Sequence, residues 1–526
     1  MTLPKSCLKL LWLLATLSLG SAASAHELKI GIGLETSSID PMFSTISSNA
    51  MVARNFFDTL VLQDEHQRLQ PGLALTWQAI TPTIWEFRLR PGVKFHDGSD
   101  FTAEDVAFSL RRAPEVNPTV GAFRVYTRQI VKVDVVDHLT IRTHSAAPYP
   151  LMPYDMSVVP IVSHRIGENV ASADFDSGKA AIGTGPFRFV EWIPGNRIVM
   201  MRNEEYWGPK PAWERVIISP MQNETARLAA LLAHDVDLIE GPPPSAMAML
   251  RARADIRLAQ TAYYRLEYLG MDTYSDRAPF VTDLAGNGLD KNPFKDLRVR
   301  KAIMKAIDRD ALVNSINEGM GIPAGQLLPD GVFGTSPKLK PEPYDPEGAR
   351  RLLAEAGYPD GFAVTLHGPS GRFVNDAKIT VAVGRMLSRI GVVAKVETLP
   401  VAIFKTRLGK YEMGIYVDGW WTDTGETSSS LRAIVATVNR ATGWGVVNRG
   451  RYSNPGFDAF LERALAEFDD AKRDRLLGEA SEMVIQDVGV VPLYYEVASW
   501  AFRANIGYIP RADGFTLAAN AFLVSN

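Results

Sequence analysis

Apolar residues alternate with polar ones at the start of the mature region, in "ELKIGIGL", and again in "TIWEFRLRPGVKF". This period of two predicts half-buried β-strands. In the second segment Trp85, Phe87 and Leu89 share one face, and Glu86, Arg88 and Arg90 the other. Further strands are predicted at "VKVDVVDHLTIRT" and at "FRFVEW" with "NRIVMMRN". Helical spacing begins at "TAEDVAFSLRR", where Thr102 can cap and Asp105 follows three residues on. The second half changes rhythm. "DLRVRKAIMKAIDRDALVNSIN" and "DAKITVAVGRMLSRIG" carry apolar residues at helical spacing, and "NPGFDAFLERALAEFDDAKRDRLLGEASEMVIQD" reads as a helix pair. "YDPEGARRLLAEAGYPDGF" is marked at both ends: Asp345 caps, Pro346 suits the first turn and Gly357 ends it. "VVAKVETL" and "VGVVPLYYEVASWAFRANI" are strand-like, and "GTGPF" is a tight junction. Mixed strands and helices in two differently patterned halves predict an α/β or α+β chain of two lobes, with α/β the fold class expected.

The first 25 residues stand apart. Lys5 and Lys9 precede the apolar run "LLWLLATLSLG", and Ala23-Ser24-Ala25 offers small residues for cleavage. That order predicts a secretory signal peptide cut after Ala25, and hence a periplasmic location. Removal takes two lysines and no acid, so the formal charge goes from -3 to -5. The only cysteine, Cys7, leaves with the leader. The mature chain then has no disulfide, thiolate metal site or cysteine nucleophile. The full sequence, at 526 residues with 46% apolar and 22% charged content, is long enough for two or three cores. Nothing in the charge balance calls for nucleic acid.

Signatures of catalysis and of phosphate binding are absent: no G-x-x-x-x-G-K-[ST], no H-E-x-x-H, no G-x-S-x-G. The eight histidines show no metal-ligand spacing. His96, beside Asp97 in a turn, is the most tempting catalytic residue but reads as structural. No cofactor and no metal is expected.

The segment "GWWTDTGETSSS" sets two tryptophans beside Asp423 and Glu426. With "WEFRLRPGVKFHDGSDFTAEDVAFSL", "GTGPFRFVEW", "NPFKDLRVRKAIMKAID" and "YDPEGARRLLAEAGYPDGF", it forms a series in fixed order between residues 85 and 426. The series resembles family 5 of the extracellular solute-binding proteins of ABC importers, which holds dipeptide and oligopeptide binders along with nickel, glutathione and opine binders. The resemblance implies the large periplasmic binding protein fold: two lobes joined by two crossing strands, one lobe carrying an extra subdomain. Lobe one is expected at 26–266 plus 491–526, with the subdomain near 50–182, and lobe two at 267–490. The crossings then fall in "YYRLEYLGMD" and "VVPLYYEVASW".

It also implies ligand-binding residues. The family's peptide binders carry a G-W-x-x-D segment whose aspartate meets the ligand ammonium. Here that is Gly419, Trp420, Trp421, Thr422 and Asp423. An arginine in a strand-to-helix connection, matched by Arg372, holds the ligand carboxylate, or else pairs internally with Asp376. Thr45 and Ser47 are expected from lobe one, and Trp444 and Asn448 from a second loop of lobe two. "TSSS" reads as a solvated loop. The implied partners are a small peptide or peptide-like zwitterion and a membrane permease with separate ATPase subunits, the chain itself being a monomer. Opines, glutathione, amino sugars, oligosaccharides or a nickel chelate are alternative ligands. A secreted hydrolase using Asp423 and Glu426 is the alternative of another class.

Overall fold

The structure, a computed structural model, describes residues 26–117, 123–422 and 424–524. The leader and Asp423 lie outside these residues. A twelve-stranded sheet runs through both halves of the molecule. Its centre is two long antiparallel strands, Ile256–Met271 and Val491–Arg503. On one side of this pair follow Leu238–Glu240, Glu27–Ile32, Arg215–Pro220, Arg197–Arg202 and Phe187–Ile193. On the other side lie Ile415–Trp421, Phe362–Ser370 and Val281–Thr282, with Val392–Pro400 added alongside Phe362–Ser370 and Gly321–Pro323 alongside Val491–Arg503.

The two central strands keep register from Ile256↔Arg503 to Ala262↔Val497, then slip and resume at Leu266↔Tyr495. A slip of this kind bends a strand and increases its twist. It lets one pair of strands leave the core of one lobe and enter that of the other. The cores divide accordingly. The largest apolar cluster draws on residues 28–238 and 500–521, and two others on 266–495.

A separate four-stranded sheet comprises Ala74–Thr81, Ile84–Leu89, Thr140–Ser145 and Ile130–Asp137, in that spatial order. "VKVDVVDHLTIRT" thus supplies two strands and a turn rather than one strand. The alternation along Ile84–Leu89 is broken at Glu86. Expected on the wet face, it is buried, and Arg142 and Arg88 hold its carboxylate at 2.8 and 3.2 Å.

Local signals match the observed ends where they were strongest. The Asp105 carboxylate accepts the Thr102 backbone N–H at 2.8 Å ahead of the helix Ala103–Arg112. Asp345 accepts the Gly348 N–H at 2.8 Å ahead of Pro346–Glu355, and Gly357 takes φ +93°. The helix pair is Pro455–Leu465 and Asp470–Gln486. The long pattern at 296–317 breaks into Leu297–Lys305, a short turn at Arg309–Ala311 and a wide turn at Leu312–Ile316. Asp308 restarts the chain there by accepting the Ala311 N–H at 2.9 Å.

Candidate ligand cavity between the lobes

The strand Ile415–Trp421 ends where the central strands change register: Arg265 faces Trp421 and Leu266 faces Trp420. Beside this point lies a cavity of about 600 Å³. Thr45 and Ser47 line it from the first lobe, and Arg372, Trp420, Trp421 and Trp444 from the second. These six predicted residues, far apart in the chain, meet at one surface. Ser47 is the first residue of the helix Ser47–Ala53, not part of a loop. Trp421 packs against Phe515, with ring centroids 6.1 Å apart. The indole N–H groups of Trp420 and Trp421 find no acceptor among the described residues.

Three of the predicted residues do not line the cavity. Gly419 passes so close to Glu267 that a Cβ there would lie 2.3 Å from the carboxylate. Its carbonyl accepts Arg372 Nη2 at 2.6 Å. Thr422 is fully buried and donates its N–H to the Tyr264 carbonyl. Asn448 is a correction. It is buried, its Nδ2 donates to the carbonyls of Ala436 and Tyr452, and its Oδ1 accepts the Tyr452 N–H. An amide fully used in bracing its own loop has nothing left for a ligand.

"TSSS" is a second correction. It forms the helix Thr427–Ser430, with Thr427, Ser428 and Ser430 buried. Glu426 caps it, accepting the Ser428 N–H at 2.6 Å, the Ser428 hydroxyl at 2.8 Å and the Thr424 hydroxyl at 3.0 Å. A buried carboxylate with three donors is the cost of starting a helix indoors.

The partner of Arg372 also differs from the expected one. Asp376 accepts the backbone N–H of Arg372 at 2.8 Å, whereas the guanidinium lies 3.1 Å from Asp418. Lys405 shares that aspartate at 2.6 Å. Burial draws the Lys405 ammonium below its ordinary pKa, against the attraction of Asp418. Asp418 thus holds Arg372 at the cavity wall from behind.

Sequence reasoning missed Arg128, Asp155, Tyr263, Arg265 and Arg432, all of which line the cavity. Arg265 stands at the register slip, its Nε 3.0 Å from fully buried Glu267 and its Nη1 3.7 Å from Glu496. Burial works against its charge, but Glu496 and Glu267 hold its pKa above the ordinary value. Burial also raises the Glu267 carboxyl well above the carboxylate range, despite Arg265. Arg432 reaches from the second lobe to Tyr149 and Asp155 of the first. Burial opposes its charge too, and Tyr149, Glu426 and Asp155 restore it. Asp155 accepts the Tyr149 hydroxyl at 2.6 Å, and burial pushes its carboxyl up to about 7. The one legible signal was the charge pattern R-L-E in an otherwise apolar crossing strand.

A further cavity of about 640 Å³ is lined by Tyr264 rather than Tyr263, with Trp77, Trp85, Tyr154 and Phe333. No predicted residue reaches it. Among the described residues no group of histidine, cysteine and carboxylate side chains is arranged to hold a metal ion, and no helix is long and apolar enough to cross a membrane.

Comparison with known proteins agrees with this architecture. Over 512 residues the chain is 27% identical to the glutathione-binding protein GsiB of Escherichia coli O1:K1 / APEC, covering 94% of each chain. It superposes on the periplasmic binding protein DppA of Helicobacter pylori, solved with the peptide STSA, with a TM-score of 0.76 and 25% identity, covering 95% of this chain and 98% of that one. HbpA2 of Haemophilus parasuis has the same fold, with a TM-score of 0.81, 24% identity and coverage of 95% and 100%. The middle region of the bacterial extracellular solute-binding proteins of family 5 matches residues 68–442. The two-lobed structure, its crossing strands and this match over most of the chain place the protein in that family: it is a bacterial extracellular solute-binding protein of family 5.

Proposed function

We propose that the protein captures a short peptide or peptide-like zwitterion in the 600 Å³ cavity and delivers it to an ABC permease. The carrying observation is the meeting of Thr45 and Ser47 with Arg372, Trp420 and Trp421 across the lobe junction. The volume suits a small ligand. A guanidinium on the wall offers a planar fork to a carboxylate. Two unmatched indole N–H donors want acceptors, and the rings exclude water and strengthen polar contacts. The ammonium partner in this reading is Asp423. It rests on the family resemblance of the G-W-x-x-D segment, because the residue lies outside the described part of the chain. The relatives named for glutathione and for a bound peptide support the ligand class. A ligand bridging two lobes favours the closed form by its differential affinity for it.

The reading extends to a lobe division at 26–266 with 491–526 against 267–490, and to a subdomain near 50–182. It includes a monomeric, periplasmic, non-enzymatic mature chain released after Ala25. The hydrolase alternative loses support because Glu426 is spent as a helix cap.

A thermal-shift screen of the mature protein tests the proposal. The panel holds di- to pentapeptides, glutathione, opines, amino sugars, oligosaccharides and nickel. A ligand at 100 times its Kd stabilises by about 2.7 kcal/mol. Peptides or glutathione are expected to raise Tm, and Asp423→Asn to weaken their binding by about 2–5 kcal/mol. A response to sugars or nickel alone overturns the ligand class.

A further inference from the structure

Four arginines, Arg128, Arg265, Arg372 and Arg432, line the cavity, against one carboxylate, Asp155, among the described residues. Three of the four have acidic neighbours behind them: Glu267 and Glu496 for Arg265, Asp418 for Arg372, Asp155 and Glu426 for Arg432. Arg128 differs. It is exposed, and no acid among the described residues lies within ion-pair distance of it. It follows the short helix Arg124–Thr127 of the first lobe and reaches the second, where a Cβ on Gly443 would come within 2.1 Å of its Nη1. Trp444 adjoins Gly443 on the same wall.

Arg128 and Arg432 therefore approach one end of the cavity from opposite lobes. Each brings a cation, and both act on Asp155, while Glu426 lies behind Arg432 alone. Asp155, the one described carboxylate lining this wall, already accepts the Tyr149 hydroxyl at 2.6 Å, and the two arginines outnumber it. An anion placed here meets two guanidinium forks, one from each lobe, only when the lobes are together. Charge-assisted contacts of this geometry are the strong ones.

We propose that the Arg128–Arg432 end is a second anion subsite, and that the preferred ligand is an acidic peptide-like molecule with a carboxylate beyond its terminal one. The inference rests on the peptide-like reading above and narrows it. In this arrangement Arg372 takes one carboxylate and the Arg128–Arg432 end the other.

Calorimetric titration of the mature full chain tests it with matched pairs: Ala-Glu against Ala-Gln, and glutathione against its analogue amidated at the γ-glutamyl α-carboxyl. The acid of at least one pair is expected to bind about tenfold or more tightly than its amide. Arg128→Gln should bring that ratio to within about threefold of unity, and Arg128→Lys should keep an intermediate ratio because it retains charge without the fork. Arg128 is exposed, so these variants should melt as the parent does. Equal binding of acid and amide in every pair that binds, or a ratio that survives Arg128→Gln, overturns the subsite and leaves the peptide reading standing. No binding by any member overturns both.

Discussion

His96 sits in the turn that drew attention to it as a catalytic candidate, yet both ring nitrogens are occupied. Nδ1 accepts the Gly183 N–H at 3.2 Å and Nε2 donates to the Gly185 carbonyl at 3.0 Å. The ring braces the "GTGPF" junction and must be neutral to do so. Burial pulls its pKa down to about 4 from the ordinary 6.5, and the neighbouring Asp97 does not restore it. The unfolded chain therefore takes up a proton near pH 6.5 that the folded chain refuses until about pH 4. Stability should be level above pH 6.5 and fall as pH drops toward 4, by about 2–3 kcal/mol. Urea unfolding of the parent and of His96→Gln at pH 7 and pH 4.5 checks this. The parent should lose more on acidification than the variant, and parallel losses would remove the histidine as the cause. At this scale sequence names the chemistry a residue can do, and long-range partners decide whether it does it. Arg372 and Asp423 were visible as charged residues in suggestive places. That Arg372 leans on Asp418 rather than Asp376 was not.

The helix Pro346–Glu355 was readable from end to end because all of its signals are local. Its cap, its proline and its terminating glycine lie within one turn of the positions they control. Replacing Asp345 by Ala should cost about 1 kcal/mol, since the Gly348 N–H loses its acceptor, and Asp345→Asn should recover most of it. The shift in urea midpoint measures both, and an unchanged midpoint in Asp345→Ala would show that the cap adds no stability. "TSSS" shows the opposite case. Hydroxyl-rich segments usually turn in solvent, but Glu426 satisfies the exposed end of this one from inside. The strand Ile84–Leu89 has the right period and one residue out of pattern, because Arg142 from a neighbouring strand makes burial of Glu86 tolerable. Elements were misread where a partner distant in sequence offset the local preference.

At the scale of the molecule, the two central strands join cores that otherwise use separate stretches of chain. Aromatic contacts span the lobes elsewhere: Trp85 stacks on Phe468 with centroids 6.1 Å apart, and Tyr154 meets Phe333 at 6.2 Å. Relative movement of the lobes has to be absorbed near the register slip at Tyr263–Arg265, where the ladder is already broken. A saturating ligand from the peptide panel should therefore lower the radius of gyration in small-angle X-ray scattering. An identical scattering curve with and without bound ligand would mean that capture does not require closure.

The alternation and helical spacing, the caps, the basic-then-apolar order of the first 25 residues and the ordered series of segments between residues 85 and 426 belong to the sequence itself. They are set by neighbours within a turn or a strand, or by order along the chain. From them followed the α/β class, the two lobes and the family. The pairing of Asp418 with Arg372, the buried pair of Arg265 and Glu267, and the presence of Arg128 and Arg432 on one cavity wall were decided only by tertiary structure. Charges far apart in sequence carry no local mark of which will share a low-dielectric wall. Their pairing depends on where the register slips direct two crossing strands.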